Sequence, residues 1–220
     1  MKKYLLASTL LFGFLSVIAQ NNSLGNSDPE AKKVLDGVSN KFKTYKTVQA
    51  NFTLAVADGK GKSQGTKKGT VYMKGEKYRV TITGQEIFCD GSNIWTYDKS
   101  AKEVTISKFD PSVNTVTPQK LFTNFYDKDF LYKLNGEKKV GGKSVMEIEM
   151  TPVDKTKNFH KVYLYVDKKS QTIYSTKVLD KSGNVYTYTV TSMKPNVAIN
   201  DSQFIFDKTK YPGVEEVDLR

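Results

Sequence analysis

The 220-residue sequence carries 34 Lys and Arg against 23 Asp and Glu, a formal net charge of +11. Such a charge often indicates a nucleic acid or an anionic surface as partner, but only Arg79 and Arg220 are arginines, and bidentate recognition of bases and phosphates favours arginine. We therefore expect no nucleic-acid partner. The single cysteine excludes an internal disulfide.

The first residues follow the pattern of a secretory signal peptide. Lys2 and Lys3 precede a largely apolar run, which is followed by small residues at the expected cleavage site after Ala19. The run is short for a membrane span, which needs about 20 apolar residues. We expect residues 1–19 to be removed and residues 20–220 to form a single exported domain.

One amphipathic helix is predicted next. Residues 27–30 combine a capping side chain, a proline in the first turn and an early acid, which together start a helix. Large and small apolar residues then recur at spacings of three and four. The residues on this face are Ala31, Val34, Leu35, Val38, Phe42 and Tyr45.

The rest of the chain alternates between apolar and polar residues, which predicts strands separated by Asp-Gly, Gly-Gly and similar turns. A helix-like insertion at 117–126 interrupts this pattern. Ten or eleven antiparallel strands must curl, and the helices would cover the concave face. The fold class is therefore mainly β (α+β). The twelve segments with this pattern, from which the ten or eleven strands are expected to form, are 48–56, 69–73, 78–82, 86–89, 94–97, 104–107, 130–134, 145–150, 162–166, 173–179, 185–191 and 204–206.

Catalytic groups are scarce. Cys89 is the remaining candidate nucleophile, but its neighbours Phe88 and Asp90 would raise the pKa of its thiol rather than lower it. His160 is the only histidine, and no cluster has the spacing of a metal site. We expect no enzyme, no cofactor and no metal, with a thiol hydrolase acting through Cys89 as the less favoured alternative.

Apolar side chains at inward strand positions are abundant instead. Periodicity by itself favours an ordinary packed core, but an open sheet with such a face can also enclose a cavity for apolar ligands. Both interpretations stay open at this point. The inward positions are Phe52, Leu54, Met73, Tyr78, Val80, Ile82, Ile87, Trp95, Met146, Ile148 and Met150.

The order and spacing of several short motifs resemble the LolA family of periplasmic lipoprotein carriers. No single motif is strong, but together they run over nearly the whole chain after the signal peptide. They are Ala50 and Phe52, the pair Tyr78-Arg79, Asp90-Gly91 followed by Ile94-Trp95 and Tyr97, Thr117-Pro118 with Leu121 and Phe122, and Asp201, Phe204, Phe206, Pro212 and Gly213.

The resemblance implies an incomplete half-barrel whose apolar cavity, lined by the inward positions, takes the acyl chains of lipoproteins. The implied partners are acylated lipoproteins, an ATP-driven exporter in the inner membrane and an outer-membrane acceptor, either a protein or the membrane itself. A monomer in the periplasm is expected, and a lipid- or lipoprotein-sensing regulator on the same fold is the alternative. The implied lid residues are Val34, Leu35, Val38, Leu121, Phe122 and Phe125.

The family often carries an arginine in a basic-proline turn, which is thought to latch the lid. Here Lys74 stands at the basic position, and Gly75 and Glu76 replace the rest of the turn. Arg79 is therefore the remaining candidate for a latch.

Overall fold

The computed structural model describes residues 27–110 and 126–220. The predicted signal peptide and three predicted lid residues, Leu121, Phe122 and Phe125, lie outside the described residues.

Helix α1 spans Pro29–Lys43. Asp28 caps it, since its carboxylate accepts a hydrogen bond of 2.9 Å from the backbone N–H of Glu30. The second carboxylate oxygen of Asp28 accepts from the backbone N–H of Leu134. The predicted helix start is confirmed, and the same residue ties the helix to the sheet.

Within the described residues the structure forms twelve strands and one further short helix, α2, at Tyr126–Asp129. The predicted strands up to 185–191 are confirmed, but three of them are clearly longer than predicted, namely those at 69–73, 130–134 and 185–191. The strands are β1 Val48–Ala57, β2 Ser63–Lys74, β3 Lys77–Ile82, β4 Gln85–Cys89, β5 Asn93–Asp98, β6 Glu103–Lys108, β7 Phe130–Val140, β8 Lys143–Pro152, β9 Phe159–Asp167, β10 Thr172–Asp180, β11 Val185–Pro195 and β12 Glu215–Asp218.

All described strands belong to one sheet, in the order β12-β6-β5-β4-β3-β2-β1-β11-β10-β9-β8-β7. Neighbouring strands are antiparallel except β12, which is parallel to β6. The two edge strands, β12 and β7, are not paired with each other, so the sheet is not closed into a barrel. A mainly β fold built on one open sheet is therefore confirmed, with twelve strands instead of ten or eleven.

The last predicted strand is wrong. Residues 204–206 do not pair with the sheet; Asp201–Phe204 is a 3-10 helix capped by the side chain of Asn200. Phe204 and Phe206 are both buried. Buried and exposed residues alternate here because Phe204 and Phe206 pack against the sheet. The final strand of the structure is β12, which lacks an apolar pattern.

The two faces of the sheet differ in what covers them. Residues directly opposite in antiparallel strands share a face, so the register identifies the side on which α1 packs, here called the inner face. Its covered part is a cluster of α1, α2 and the strands β7 to β10. The buried members are Ala31, Leu35, Val38, Tyr126, Phe130, Tyr132, Ile148, Met150, Val162, Leu164, Val166 and Ile173.

The opposite, outer face is covered over β4 to β6 by the chain that follows β11. Phe206 packs edge-on against Phe88 with ring centroids 5.7 Å apart, and Tyr211 stacks on Phe206 at 4.6 Å. Two short 3-10 helices, Asp201–Phe204 and Lys208–Lys210, shape this segment before it joins the sheet as β12. We call residues 196–220 the C-terminal segment.

Candidate functional site: an open apolar strip on the inner face

Part of the predicted cavity wall is ordinary core. Ile148 and Met150 have no exposed surface and lie beneath α1 with Leu35 and Val38, while Val34 and Met146 pack against the same cluster. Close packing of this kind leaves no room for a ligand without movement of the helix.

A second buried cluster lies on the inner face of β1 to β4. Met73 and Tyr78 are buried there together with Cys89, and the half-buried residues Phe52, Val80 and Ile87 pack against them. Burial also raises the pKa of Tyr78 well above that of a free phenol, with the neighbouring Cys89 as a lesser cause. These side chains form the floor at one end of the sheet.

Beyond this floor, the described residues leave the inner face partly accessible to solvent. Phe52 lies opposite Val190, Leu54 opposite Tyr188 and Val56 opposite Tyr186, so their side chains line one continuous surface. The ring of Phe52 lies 6.4 Å from that of Tyr188, which is 41% exposed although it faces inward. We call this surface the open strip. Its residues are Phe52, Leu54, Val56, Ile82, Val178, Tyr186, Tyr188 and Val190.

The environment of the open strip is apolar despite its exposure. The pKa of Tyr188 is raised, first because surrounding protein displaces water from its hydroxyl and second because Tyr186 lies nearby. A contiguous apolar patch that stays accessible in a folded protein often marks a binding site for a ligand or a partner. An apolar ligand could therefore bury its surface against the open strip.

Five residues of the open strip were missed by the pattern of inward positions. They lie on strands that the sequence predicts, 48–56, 173–179 and 185–191, and are Val56, Val178, Tyr186, Tyr188 and Val190. On β11 the alternation with Thr187 and Thr189 is the signal that could have found the last three. The sequence does not reveal that β11 pairs with β1, which brings the tyrosines beside Leu54.

Trp95 was predicted to line the cavity, and its placement there is wrong. It lies opposite Phe88 and Ile106 and packs in the outer-face cluster with Tyr97 and Phe206. Ile94, the adjacent residue, is the one that faces inward, packed against the cluster of Cys89.

Arg79 also lies on the outer face, opposite Tyr72 and Phe88. Its guanidinium forms an ion pair of 2.6 Å with Glu86 and lies 4.6 Å from the centre of the Phe88 ring. A weaker hydrogen bond of 3.4 Å reaches Gln203 in the C-terminal segment. These contacts do not fit the latch interpretation, because they hold the C-terminal segment rather than a helix on the inner face.

Cys89 is fully buried, and burial raises the pKa of its thiol, as its flanking residues predicted. Its sulfur lies 3.9 Å from the carbonyl oxygen of Glu76. The only histidine, His160, is exposed on β9, on the far side of β3, β2, β1, β11 and β10. The thiol is thus held protonated and away from the one imidazole that could activate it.

Metal-binding clusters and membrane-spanning helices are both absent from the described residues. No group of three or more His, Cys, Asp or Glu side chains is placed to hold a metal ion there. Among the same residues, no helix combines the length and apolar character needed to span a membrane.

Comparison with known proteins shows which family this chain matches. Residues 43–207 match the family described as outer membrane lipoprotein carrier protein LolA. An outer-membrane lipoprotein carrier protein of Pseudomonas putida (strain W619) is 29% identical over 217 residues, covering 94% of this chain and 95% of the relative. One from strain GB-1 is 30% identical, covering 74% of this chain and 79% of the relative.

A solved structure supports the fold. An uncharacterized conserved protein from Thermus thermophilus superposes with a TM-score of 0.58 at 15% identity, covering 86% of this chain and 99% of the other. At that identity the likeness concerns the fold alone. The family match over residues 43–207 reaches from the end of α1 through every strand up to β11 and into the C-terminal segment, and this chain therefore belongs to the LolA family.

Proposed function

We propose that this chain is a periplasmic carrier that binds the acyl chains of lipoproteins and delivers them from the inner to the outer membrane. The relatives that it resembles over most of its length are named outer-membrane lipoprotein carrier proteins. The proposal includes loading by an ATP-driven exporter of the inner membrane and unloading at an acceptor of the outer membrane.

The observation that carries the proposal is the open strip. An acyl chain gains about 0.8 kcal/mol for each CH₂ that it buries, so a lipoprotein does not leave a membrane unaided. Phe52, Leu54 and Tyr188 present apolar surface that is incompletely covered and lies beside a firmly packed sheet. Such a surface can replace part of the membrane contact of the acyl chains and still release them.

The packed part of the inner face has a different role in this proposal. Leu35 and Val38 of α1 fill the space over Ile148 and Met150. We propose that α1 acts as a cover whose movement would extend the site from the open strip into this cluster. The predicted acyl contacts of Met146, Ile148 and Met150 depend on that movement.

A glutamate scan tests the proposal. Phe52→Glu places a charge on the open strip, where water can still solvate it, whereas Ile148→Glu buries a charge that has no partner, at a cost of several kcal/mol. Thr53→Glu is the matched control, since Thr53 is the next residue of β1, faces outward and is equally half-buried. Binding of a fluorescent diacylated peptide and thermal unfolding are measured for each variant.

The expected result is that Phe52→Glu folds and loses peptide binding, Thr53→Glu keeps both, and Ile148→Glu fails to fold. Unchanged binding by a folded Phe52→Glu variant would refute the assignment of the open strip. The regulatory alternative predicts peptide binding without transfer, so a transfer assay from loaded protein to acceptor vesicles separates the carrier from the sensor.

A further inference from the structure

Five loops lie together at one end of the sheet, the end at which β1 stops and β2 begins. The backbone N–H of Lys99 donates to the carbonyl of Gly84, and that of Lys181 donates to the carbonyl of Asn158. These hydrogen bonds join two pairs of neighbouring loops. The loops are 58–62, 83–84, 98–102, 153–158 and 180–184.

This end of the sheet carries an excess of lysine. Nine lysines lie in the five loops or on the adjoining start of β2, and all but Lys157 are exposed. Within the described part of the chain, none of the nine has a carboxylate within 4.0 Å. We call this set the basic rim. Its members are Lys60, Lys62, Lys67, Lys68, Lys99, Lys102, Lys155, Lys157 and Lys181.

The aspartate carboxylates of the same loops accept hydrogen bonds from backbone N–H groups of their own turns. Asp58 accepts from the N–H groups of Lys60 and Lys62 at 3.0 and 2.9 Å, and Asp98 accepts from that of Ser100 at 2.7 Å. Asp154 and Asp180 cap their own turns in the same way. These four aspartates organise the turns and leave the ammonium groups of the rim without a carboxylate partner.

The opposite end of the sheet is built differently. There Lys74 and Lys77 both bind Asp201 at 2.7 Å, and Lys143 binds Asp167 at 2.7 Å. Lysines are common at both ends, and ion pairs neutralise several of those at this second end, whereas the nine lysines of the rim form no ion pair with any residue that the structure describes. What distinguishes the basic rim is that its unpaired lysines adjoin the open strip.

Two further features coincide with the rim. The open strip reaches it, because Leu54 and Val56 lead into the 58–62 loop and Tyr186 follows the 180–184 loop. A cavity of about 780 Å³ opens between Lys68 and Lys99. Most of its lining side chains lie on the outer face of the sheet, and they include one carboxylate, that of Glu86. The other side chains that line it with the two lysines are Asn51, Phe52, Thr53, Thr70, Thr81, Ile82, Thr83, Gln85 and Thr191.

We propose that the basic rim docks on the surface of an anionic phospholipid bilayer, so that the open strip faces the membrane at which acyl chains leave the protein. The inference rests on the proposed carrier function and names the surface that acts in its last step. Lysine suits this task because it is a hydrated point charge on a flexible stem, which can follow a diffuse anionic surface without a fixed geometry.

The test compares two quadruple variants that remove the same charge. Lys60, Lys62, Lys67 and Lys68 of the rim are changed to Gln, and the control changes Lys46, Lys139, Lys169 and Lys194. The control lysines are exposed, lie away from the rim and have no described ion pair. Cosedimentation is measured with vesicles of equal parts phosphatidylcholine and phosphatidylglycerol, with pure phosphatidylcholine vesicles, and in low and high salt.

We expect wild type and control to bind the anionic vesicles in low salt, and the rim variant to bind about two orders of magnitude more weakly. An equal loss in both variants would overturn the proposal, since only net charge would matter. Absence of binding by the wild type would also overturn it and would assign the rim to an acidic protein surface. Diacylated-peptide binding, measured on the same samples, reports on the carrier function separately.

Discussion

The ring of Phe52 lies across the backbone of Gly69, the residue directly opposite it on β2. A Cβ atom at position 69 would lie 2.4 Å from Cζ of that ring and 2.8 Å from the carbonyl oxygen of Thr81. Neither distance is tolerated, so a glycine is required for the ring to lie flat over β2. This contact fixes the position of Phe52 in the open strip.

Gly69→Ala should therefore displace Phe52 and weaken diacylated-peptide binding. Overpacking typically costs about 1–3 kcal/mol of unfolding free energy, and the backbone oxygen of Thr81 leaves the new methyl group little room to move. Denaturant unfolding and peptide titration measure the two effects. Unchanged affinity would mean that the position of the ring does not matter to the ligand.

Gly37→Ala provides the control for that substitution. Gly37 lies within α1, and a Cβ atom there would meet nothing within 4 Å. Alanine is favoured over glycine in a helix interior by about 1 kcal/mol, so the same chemical change should stabilise the protein. Destabilisation by Gly37→Ala would show that α1 depends on a contact that its surroundings do not reveal.

Cys89→Ala should leave peptide binding and transfer intact. The side chain is fully buried in a tightly packed cluster, and its loss should cost about 1–2 kcal/mol, as for a small truncation. The thiol of the native protein should also react slowly with a disulfide reagent, at a rate limited by opening of the fold. Loss of transfer in a stable variant would restore Cys89 as a functional group.

Arg79→Gln should loosen the C-terminal segment without changing acyl binding. It removes the partner of Glu86, whose carboxylate also accepts a hydrogen bond of 3.2 Å from Tyr211. Leaving a hydrogen-bonded, partly buried charge without its partner costs about 1–3 kcal/mol. Arg220→Gln, which breaks an exposed pair with Asp218, should leave the unfolding free energy almost unchanged, because solvent screens exposed ion pairs. If Arg79→Gln changes the affinity for the peptide and Arg220→Gln does not, the interpretation of Arg79 as a latch would be favoured.

The C-terminal segment is also attached near its start, where Asp201 pairs with Lys74 and Lys77, and this attachment should depend on pH. Hydrogen bonds from Lys74 and Lys77 hold the pKa of Asp201 at about 2, below its usual value of 3.8. Because the folded-state pKa is lowered, the stabilisation is complete above the unfolded value and is lost as pH falls towards 2. An NMR titration should show the pKa of Asp201 rising when both lysines are changed to Gln. An unchanged pKa would mean that the lysine contacts do not form in solution.

The sequence by itself determined α1 and eleven of the strands. A capped proline start with apolar spacings of three and four specifies a helix, and period-two runs between Asp-Gly and Gly-Gly turns specify strands, because both signals are local. The raised pKa of the Cys89 thiol also followed from its neighbours Phe88 and Asp90. The same rules failed at β12, whose residues Glu215–Asp218 have no apolar pattern and are a strand only because β6 offers them a free edge.

The faces of the sheet were decided only by the tertiary structure. Both faces of β4 and β5 are apolar, with Cys89 and Ile94 on one side and Phe88 and Trp95 on the other, so alternation cannot tell which side is the interior. The C-terminal segment covers the second side and removes Trp95 from the candidate site. Which inward residues are core and which stay open depends on where α1 lies, since a helix fifteen residues long covers only part of a twelve-stranded sheet.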